Sequence, residues 1–239
     1  MMPFLSRSIN QIGKDAGKTN THRDESLTAG LGLQTSPEIL KTGILVERLS
    51  SFYATRGKHL FDAVAAFFLI LIFAPLMGLI ALLIKLTSRG SVFFSHKRVG
   101  SNNEQFVIHK FRSLHVGTPS YSEKPDSIED GRITPIGKWL RKTSLDELPQ
   151  LFNVLKGEMS LVGPRPEMPF LAEHYEPWEN QRHLVRPGMT GLWQLSPHRQ
   201  GTIRDGIPVD LEYIENLSFW NDFKILLRTF KVFWDNNTY

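Results

Sequence analysis

A run of 22 residues without a charged side chain, from Ala63 to Ile84, constrains the fold of this chain more than any other feature. Asp62 precedes the run and Lys85 follows it. A straight helix of this length covers about 33 Å at about 1.5 Å per residue, which is enough to cross the hydrocarbon core of a bilayer. We therefore expect one long apolar helix that places the chain at a membrane.

Two topologies fit this run, because Pro75 lies near its middle. A proline inside a helix removes one backbone donor and clashes with the preceding turn, so that the helix bends. The positive-inside rule places both basic flanks of the run in the cytosol. We predict a re-entrant hairpin over residues 57–88, broken at Ala74 and Pro75, that enters one leaflet and returns; a spanning helix with a proline kink is the alternative. The basic residues are Arg48, Arg56 and Lys58 before the run and Lys85, Arg89, Lys97 and Arg98 after it.

The composition of the 239-residue chain narrows the classes of partner and cofactor. Its charged fraction of 22% and hydrophobic fraction of 41% are ordinary for a folded protein. A formal charge of +4 and an isoelectric point near 9.3 favour an anionic partner, and we expect no nucleic acid because no DNA-binding motif is found. The chain has no cysteine, which excludes disulfides, thiolate metal sites and cysteine nucleophiles. A bound metal would therefore need oxygen or imidazole ligands, and oxygen ligands favour Mg²⁺ or Mn²⁺.

The remaining sequence divides into a tail and one folded domain. Residues 1–56 mix polar and charged side chains without a sustained apolar period, which predicts a flexible tail. Residues 89–239 are expected to form a single α+β domain, mostly helical, with a small β-hairpin made by Ser91–His96 and Gln105–Phe111. A C-terminal helix, predicted over Asp210–Phe233, carries aromatic and basic residues that suit either a membrane interface or core packing.

The acidic pair Asp146 and Glu147 is the main candidate for chemistry. One interpretation is a capping box, with Ser144 as N-cap and Glu147 at the third helical position. Pro149 instead favours a helix that begins later and leaves both acids just ahead of it. Both arrangements put two carboxylates beside the free backbone N–H groups of a helix start, which suits phosphate chemistry. Capping and catalysis both remain open on this pattern.

Basic side chains accompany the acidic pair. Lys110 and Arg112 are two residues apart in the second predicted strand and therefore share a face. Arg141 lies just before the acids, and Arg165 is held between two prolines. Such cations suit a phosphate or diphosphate ligand, although the strand pair also fits a solvated basic edge. With the apolar run, they indicate phosphoryl chemistry on a lipid carrier.

Most of the chain, from about Lys58 to Val232, resembles the bacterial sugar transferase family, the monotopic polyprenyl-phosphate phosphoglycosyl transferases that initiate exopolysaccharide and related glycan assembly. Several motifs occur in order at the family's spacing, which makes the resemblance specific. With its polar tail, the chain is similar to the short form of the family. The matching stretches are Lys58-His-Leu-Phe-Asp62, Lys110-Phe-Arg112, Arg132-Ile-Thr134, Leu140–Leu151, Gly163-Pro-Arg-Pro166 and Arg186-Pro-Gly-Met-Thr-Gly191.

The resemblance implies that a sugar-1-phosphate passes from a UDP-sugar to undecaprenyl phosphate in two steps. Asp146 would attack the β-phosphorus of the donor, forming a phosphosugar–aspartyl intermediate and releasing UMP, and the polyprenyl phosphate would then accept the phosphosugar. Glu147 would bind Mg²⁺ and act with Asp146 in catalysis. The residues implied in substrate binding are Lys110, Arg112, Arg141, Arg165 and Arg199.

The resemblance also implies a location. Residues 89–239 would form a cytosolic phosphoglycosyl transferase domain on the bacterial inner membrane, in contact with the lipid of that membrane. The oligomeric state is not predicted, and a homo-oligomer is one of the alternatives. One departure concerns Arg199, because many relatives have Asn-Gly-Arg or Ser-Gly-Arg where this chain has Ser196-Pro-His-Arg199. Two other functions compete with transfer: a membrane-bound metal-dependent phosphohydrolase, and a non-catalytic membrane-docking partner of a polysaccharide assembly complex.

Overall fold

The folded part of the chain begins before the predicted end of the tail. The computed structural model describes residues 48–119, 129–196 and 201–234, together with residues 125 and 127. Most of the predicted tail, residues 1–47, lies outside the described residues. Residues 48–56, which the prediction also assigned to the tail, are largely helical, and a π-helical turn at Tyr53–Gly57 runs directly into the long apolar helix. Leu49 packs against the hydrophobic core.

The described residues form a mostly helical α+β fold with two small sheets, which confirms the predicted fold class. The α-helices are α1 (Lys58–Thr87), α2 (Pro135–Lys142), α3 (Gln150–Leu155), α4 (Pro169–Ala172), α5 (Ile207–Glu215) and α6 (Phe219–Trp234). The strands are β1 (Phe93–Val99), β2 (Gln105–Phe111), β3 (Ser160–Val162) and β4 (Gly188–Thr190). Short 3₁₀ turns cover Ser101–Asn103, Leu145–Glu147, Glu179–Leu184, Trp193–Leu195 and Arg204–Gly206.

Helix α1 is the one helix in the described part of the chain that is long and apolar enough to cross a membrane. It continues through Ala74 and Pro75 as a single element, so the interruption predicted at these two residues is not found in the helix. Its outward side is apolar along its length, with Leu60, Leu71 and Leu86 among its exposed residues. This side has the character of a lipid-facing surface.

Both halves of α1 pack against the same folded body. In the first half, Ala66 is fully buried in a core cluster that includes Ile214 of α5. In the second half, Ile80 is fully buried in a cluster that includes Phe111 of β2 and Leu140 of α2. The helix is therefore part of the hydrophobic core at both of its ends.

Buried ion pairs attach the beginning of α1 to the body. The Asp62 carboxylate pairs with Arg186 at 2.9 Å and accepts a hydrogen bond from the backbone N–H of Leu161 at 3.1 Å. One turn earlier, Lys58 Nζ pairs with the Asp222 carboxylate at 2.5 Å. All four charged side chains are almost fully buried, and pairing is what makes buried charges tolerable. These contacts fix α1 against β3, the loop before β4, and α6.

Strands β1 and β2 form the antiparallel hairpin that the sequence predicts, closed by the turn at Ser101–Asn103. The register places His96 opposite Ile108 and brings His96 and Lys110 to the same face. Asn153 of α3 holds the hairpin by two bonds to the backbone of β2, at 3.2 Å and 2.7 Å. The hairpin therefore presents its basic face next to α3.

Strands β3 and β4 pair in parallel, and a close backbone contact lies just beyond β3. A Cβ atom on Gly188 would lie 2.1 Å from the backbone nitrogen of Gly163, so glycine is required there. A β-bridge between Val99 and Glu167 ties the end of the 163–166 loop to β1. The loop that carries Arg165 is thus held between the two sheets.

Helix α6 has a buried side and an exposed side. Asp222 and Ile225 are buried, and Thr229 bonds the hydroxyl of Thr190 in β4 at 2.8 Å. The single helix predicted over Asp210–Phe233 is two helices, α5 and α6, and core packing, one of its two predicted uses, is confirmed for the buried side of α6. The exposed side carries aromatic and basic residues.

Candidate active site

The acidic pair lies in the 3₁₀ turn between α2 and α3. Ser144 adopts a left-handed backbone conformation, with φ of 52°, and its side chain makes no capping bond. The capping-box interpretation is therefore wrong, because the Glu147 side chain turns to Lys110 instead of back to Ser144. Helix α3 begins at Gln150 after Pro149, which confirms the interpretation that leaves both acids ahead of the helix.

Glu147 is held by two cations from different parts of the fold. Its Oε1 atom accepts hydrogen bonds from Lys110 of β2 at 2.7 Å and from Arg165 at 3.4 Å. Burial acts to raise the pKa of Glu147, but the two cations together outweigh it and hold the pKa below its ordinary value. Glu147 is therefore ionised at neutral pH.

Asp146 has the opposite environment. Its side chain is 9% exposed, and within the described part of the chain no group donates a hydrogen bond to its carboxylate. Burial raises the pKa of Asp146 to about 6, which the charge of Glu147 reinforces and the cations Lys110, Arg141 and Arg165 oppose. At neutral pH this group is a largely desolvated carboxylate whose oxygens remain available for bonding.

A small cleft, partly open to solvent, lies beside Glu147, between the hairpin and the 163–166 loop. Among the described residues that line it, Arg98, Lys110 and Arg165 are cations, and Glu147 is a carboxylate. An excess of cations in a partly enclosed cleft favours an anionic ligand such as a diphosphate. The residues that line it are Arg98, Ile108, Lys110, Glu147, Gln150, Arg165, Pro166 and Gly188.

His96 orients Arg98 at the edge of this cleft. Arg98 Nε donates a hydrogen bond to His96 Nε2 at 2.7 Å, and its NH1 donates to the Pro166 carbonyl at 3.3 Å. Burial and the neighbouring cations, first Arg98 and then Lys110, lower the pKa of His96 to about 3. The imidazole is therefore neutral, as an acceptor for a guanidinium must be.

The structure brings together some of the predicted binding residues and separates one. Lys110 and Arg165 meet at Glu147, and Arg141 lies near enough to Asp146 to lower its pKa. Arg112 donates instead to Ser88 and to the backbone of Arg89 just beyond α1, at 2.7 to 3.0 Å. The predicted Arg199 lies outside the described residues.

Three residues of the site escaped the sequence prediction: Arg98 and Gln150, which line the cleft, and His96, which orients Arg98. The same-face rule that links Lys110 to Arg112 also applies across the hairpin, and it would have added His96 and Arg98 from the opposite strand. Gln150 follows Glu147 by three residues and lines the cleft while almost fully buried. Such helical spacing could have found it.

A magnesium ion fits this site only when it is shared with a substrate. Among the described residues, no group of three or more histidine and acidic side chains is placed to hold a metal. Mg²⁺ in proteins is commonly held by one or two carboxylates together with substrate phosphates and water. Asp146 and Glu147 supply carboxylates of that kind, so the donor set fits a metal–diphosphate complex and not an all-protein cage.

Comparison with known proteins places the chain in a family. A sequence model described as bacterial sugar transferase matches residues 53–236. Undecaprenyl-phosphate glucose phosphotransferase of Komagataeibacter xylinus is 44% identical over 201 residues, which cover 79% of this chain and 38% of the relative. UDP-glucose:undecaprenyl-phosphate glucose-1-phosphate transferase of Caulobacter vibrioides is 43% identical, covering 72% of this chain and 67% of the relative.

A third relative, exopolysaccharide production protein ExoY of Rhizobium meliloti, is 38% identical, covering 72% of this chain and 83% of the relative. The matched region thus spans between 38% and 83% of the length of these three curated relatives. The family match includes the acidic pair, the hairpin and the 163–166 loop that build the cleft. This chain belongs to the bacterial sugar transferase family.

Proposed function

We propose that this protein transfers a sugar-1-phosphate from a UDP-sugar to undecaprenyl phosphate and so initiates exopolysaccharide or related glycan synthesis. The observation that carries the proposal is a buried carboxylate, Asp146, to which no described residue donates a hydrogen bond, beside Glu147, which is held by Lys110 and Arg165. The names of the relatives from Komagataeibacter xylinus and Caulobacter vibrioides support both substrates.

In the first step, a carboxylate oxygen of Asp146 bonds to the β-phosphorus of the UDP-sugar. The bond from this phosphorus to the bridging oxygen breaks, and UMP leaves with the electron pair. Lys110, Arg165 and Arg98 face the diphosphate and stabilise charge on the leaving group. The product of this step is a phosphosugar–aspartyl intermediate, in which the Asp146 carboxylate forms an acyl phosphate.

In the second step, an oxygen of undecaprenyl phosphate attacks the same phosphorus and expels the Asp146 carboxylate. The sugar then remains on the lipid through a diphosphate, and the enzyme returns to its starting state. Splitting one displacement into two is the general advantage of a covalent carboxylate intermediate. Because Asp146 is largely buried, water is a poor competitor for attack on the intermediate.

We further propose that Mg²⁺ is the cofactor. When bound, it would neutralise charge on the donor diphosphate. Glu147 would hold it together with the phosphates, and Lys110 keeps Glu147 ionised for that purpose. Removal of magnesium should therefore weaken donor binding in the wild-type protein more than in a Glu147→Gln variant.

The test of the nucleophile is a single-turnover reaction without lipid acceptor. Purified protein mixed with a UDP-sugar and magnesium should release one UMP per enzyme and gain the mass of a phosphosugar on Asp146. Asp146→Asn should slow the release by at least about a thousandfold, whereas Asp205→Asn, in an exposed turn, should leave it unchanged. Near-normal release by Asp146→Asn would refute this role.

Adding undecaprenyl phosphate distinguishes the competing functions. Label from the sugar should enter the lipid phase in proportion to the UMP released. Continuous release of sugar phosphate without lipid would indicate a phosphohydrolase. A protein that releases no UMP from any UDP-sugar would be a non-catalytic partner.

We also propose that α1 anchors residues 89–239 to the cytosolic side of the bacterial inner membrane as a re-entrant element. The packing of both halves of α1 on one folded body supports this, because a helix that crosses the bilayer would carry its second half away from a body that lies on one side of the membrane. Pro75 lies inside α1, at a position where a proline favours a bend of the helix in the membrane. Cysteines introduced at Ser50 and Ser95 should react with a membrane-impermeant reagent from the same side; reaction from opposite sides would mean a spanning helix.

A further inference from the structure

Two prolines make the position of the 163–166 loop depend on its carbonyl groups, because proline has no backbone N–H to donate. The Pro164 carbonyl accepts a hydrogen bond from the N–H of Gly188 at 2.8 Å. The Pro166 carbonyl accepts one from Arg98 at 3.3 Å. These two bonds hold the loop on either side of Arg165, whose side chain lines the cleft. The orientation of Arg165 therefore depends on what donates to its own carbonyl.

Arg182 supplies this donor from the core side of the loop. It belongs to the 3₁₀ turn at Glu179–Leu184, and its NH2 nitrogen donates to the Arg165 carbonyl oxygen at 2.8 Å. The Arg182 side chain is fully buried and is not among the described residues that line the cleft. One guanidinium thus holds the backbone of Arg165 from inside the fold, while the guanidinium of Arg165 faces the cleft and Glu147.

Two buried acids and a tyrosine orient the Arg182 guanidinium. The Asp210 carboxylate of α5 pairs with its NH2 nitrogen at 2.7 Å. The Tyr175 hydroxyl accepts a hydrogen bond from the NH1 nitrogen at 3.2 Å and donates one to the Glu167 carboxylate at 2.8 Å. The Glu167 carboxylate itself lies 3.9 Å from NH1. Because both acids are almost fully buried, water does not compete for the guanidinium, and its planar fork is fixed in one orientation.

Stability alone does not account for this buried cluster. Removing an arginine and two carboxylates from water carries a large desolvation cost, and replacing such a cluster by apolar residues of similar volume is often neutral or stabilising. An apolar cluster would lack a hydrogen-bond donor at a fixed position. Of the groups that contact the Arg182 guanidinium, Arg165 is the one that also lines the cleft.

We propose that Arg182 is a positioning residue of the cleft: by holding the Arg165 carbonyl, it directs the Arg165 side chain toward Glu147 and the donor diphosphate. This inference rests on the proposed function and deepens it, because Arg182 acts through Arg165 and does not touch the substrate. A displacement of about 1 Å in a group that stabilises the transition state can slow a reaction by about a hundredfold. A fully buried side chain can therefore determine the rate without facing the cleft.

The test is a double-mutant cycle in which Arg182 is changed with and without the Arg165 side chain. Arg182→Met is combined with Asp210→Asn, so that both charges of the ion pair are removed together. Asp210→Asn alone is the matched control, because it disturbs the same cluster and keeps the donor to the Arg165 carbonyl. If the paired variant does not fold, Arg182→Lys takes its place, since lysine keeps a charge for the acids but lacks the fork. Single-turnover UMP release is measured for the full chain in nanodiscs, at saturating UDP-sugar and magnesium and below the lowest melting temperature of the set.

We expect Arg182→Met/Asp210→Asn to slow UMP release by about tenfold or more, while Asp210→Asn alone releases UMP at a rate close to that of the parent. In the Arg165→Met background, the paired change should slow release by less than about a further twofold, because the side chain that Arg182 positions is already missing. An equal factor in both backgrounds would overturn the inference, because Arg182 would then act on the fold as a whole. An unchanged rate in the paired variant, or equal slowing by Asp210→Asn alone, would also overturn it.

The affinity for UDP, measured by calorimetry, separates this inference from the proposed reaction. UDP presents a diphosphate without a sugar, so its binding uses the Arg165 side chain and requires no turnover. Binding should weaken in Arg182→Met/Asp210→Asn and should not weaken further when the same change is made in the Arg165→Met background. If UDP binding shows this coupling and the parent releases no UMP from a UDP-sugar, the proposed transfer fails and the role of Arg182 stands. Additive losses of UDP affinity would refute the role of Arg182 even in an active enzyme.

Discussion

Replacing Arg186 by methionine removes one partner of a buried ion pair and leaves the other in place. The side chain of Arg186 is 8% exposed and that of Asp62 is 1% exposed, with 2.9 Å between the charged atoms. In the variant, the backbone N–H of Leu161 is the one partner that the described residues still offer to the Asp62 carboxylate. We expect the variant to be strongly destabilised, since a buried charge without a counter-charge is costly.

The expected magnitude follows from measured cases of this type. Breaking a buried pair by removing one partner costs about 3–5 kcal/mol. For a domain of this size, each kcal/mol lowers the melting temperature by about 2–4 °C, so the Arg186→Met variant should melt about 6–20 °C lower. The bond from Arg186 to the Met159 carbonyl, 3.1 Å long, is lost as well, which places the result in the upper part of this range.

The assay is thermal unfolding in nanodiscs, followed by circular dichroism, for a double-mutant cycle. Asp62→Asn keeps an oxygen for the Leu161 N–H but removes the charge, so the double variant Asp62→Asn/Arg186→Met should recover at least about 2 kcal/mol relative to Arg186→Met. If the double variant melts at or below the temperature expected from adding the two single effects, the reasoning about a stranded charge is refuted.

Three further outcomes test the cleft and its support. Because only the ionised form of Asp146 can attack, the rate of UMP release should rise about tenfold per pH unit below a pKa of about 6 and level off above it. The Lys110→Met substitution removes a charge that lowers the pKa of Asp146, so the pH profile of UMP release, measured by rapid quench, should move to higher pH. A shift of this profile to lower pH would contradict the assignment of Asp146 as the nucleophile. Arg98→Gln should weaken UMP binding by about tenfold or more in calorimetry, and unchanged binding would exclude a direct contact. Gly188→Ala should lower stability by about 1–3 kcal/mol or prevent folding, while Gly131→Ala, which has open space around it, should melt like the parent.

Short sequence patterns predicted the β-hairpin and the start of α3, because both depend on residues that are close together in the sequence. The hairpin followed from alternating strands and a turn-rich stretch at Gly100–Asn103, and the structure has it with the turn in that place. The position of Asp146 and Glu147 ahead of α3 followed from Pro149, which marks the first turn of a helix. These features need only neighbours in sequence, so the sequence was sufficient.

Contacts between residues that are far apart in sequence determine which of the basic residues reach the cleft, and the sequence pattern does not show these contacts. Lys110 and Arg112 share a strand face by spacing, yet one bonds Glu147 and the other bonds Ser88 beyond α1. Nothing in the local pattern distinguishes them, because the difference depends on which element packs over each end of the strand. The same holds for Arg98, whose place at the cleft requires the cross-strand register.

The predicted capping box shows how a tertiary contact can override a local sequence motif. Ser144 and Glu147 have the spacing of that motif, but the Lys110 ammonium offers Glu147 a charged partner at 2.7 Å. The ion pair with Lys110 adds the attraction of two full charges, which a bond to a neutral backbone N–H lacks. The tertiary contact therefore takes the side chain, and the turn at Ser144 becomes left-handed instead of capped.

Helix α1 shares its hydrophobic core with the rest of the folded body, so proteolytic removal of α1 would not leave a stable catalytic part. Ala66, Ile80 and Ile84 are each fully buried, so excising the helix would open holes in two core clusters and expose their apolar walls to water. A protease that cleaved near Ser88 could not shed a working soluble enzyme. The proposed glycan initiation would consequently be confined to the membrane surface in which a lipid acceptor diffuses.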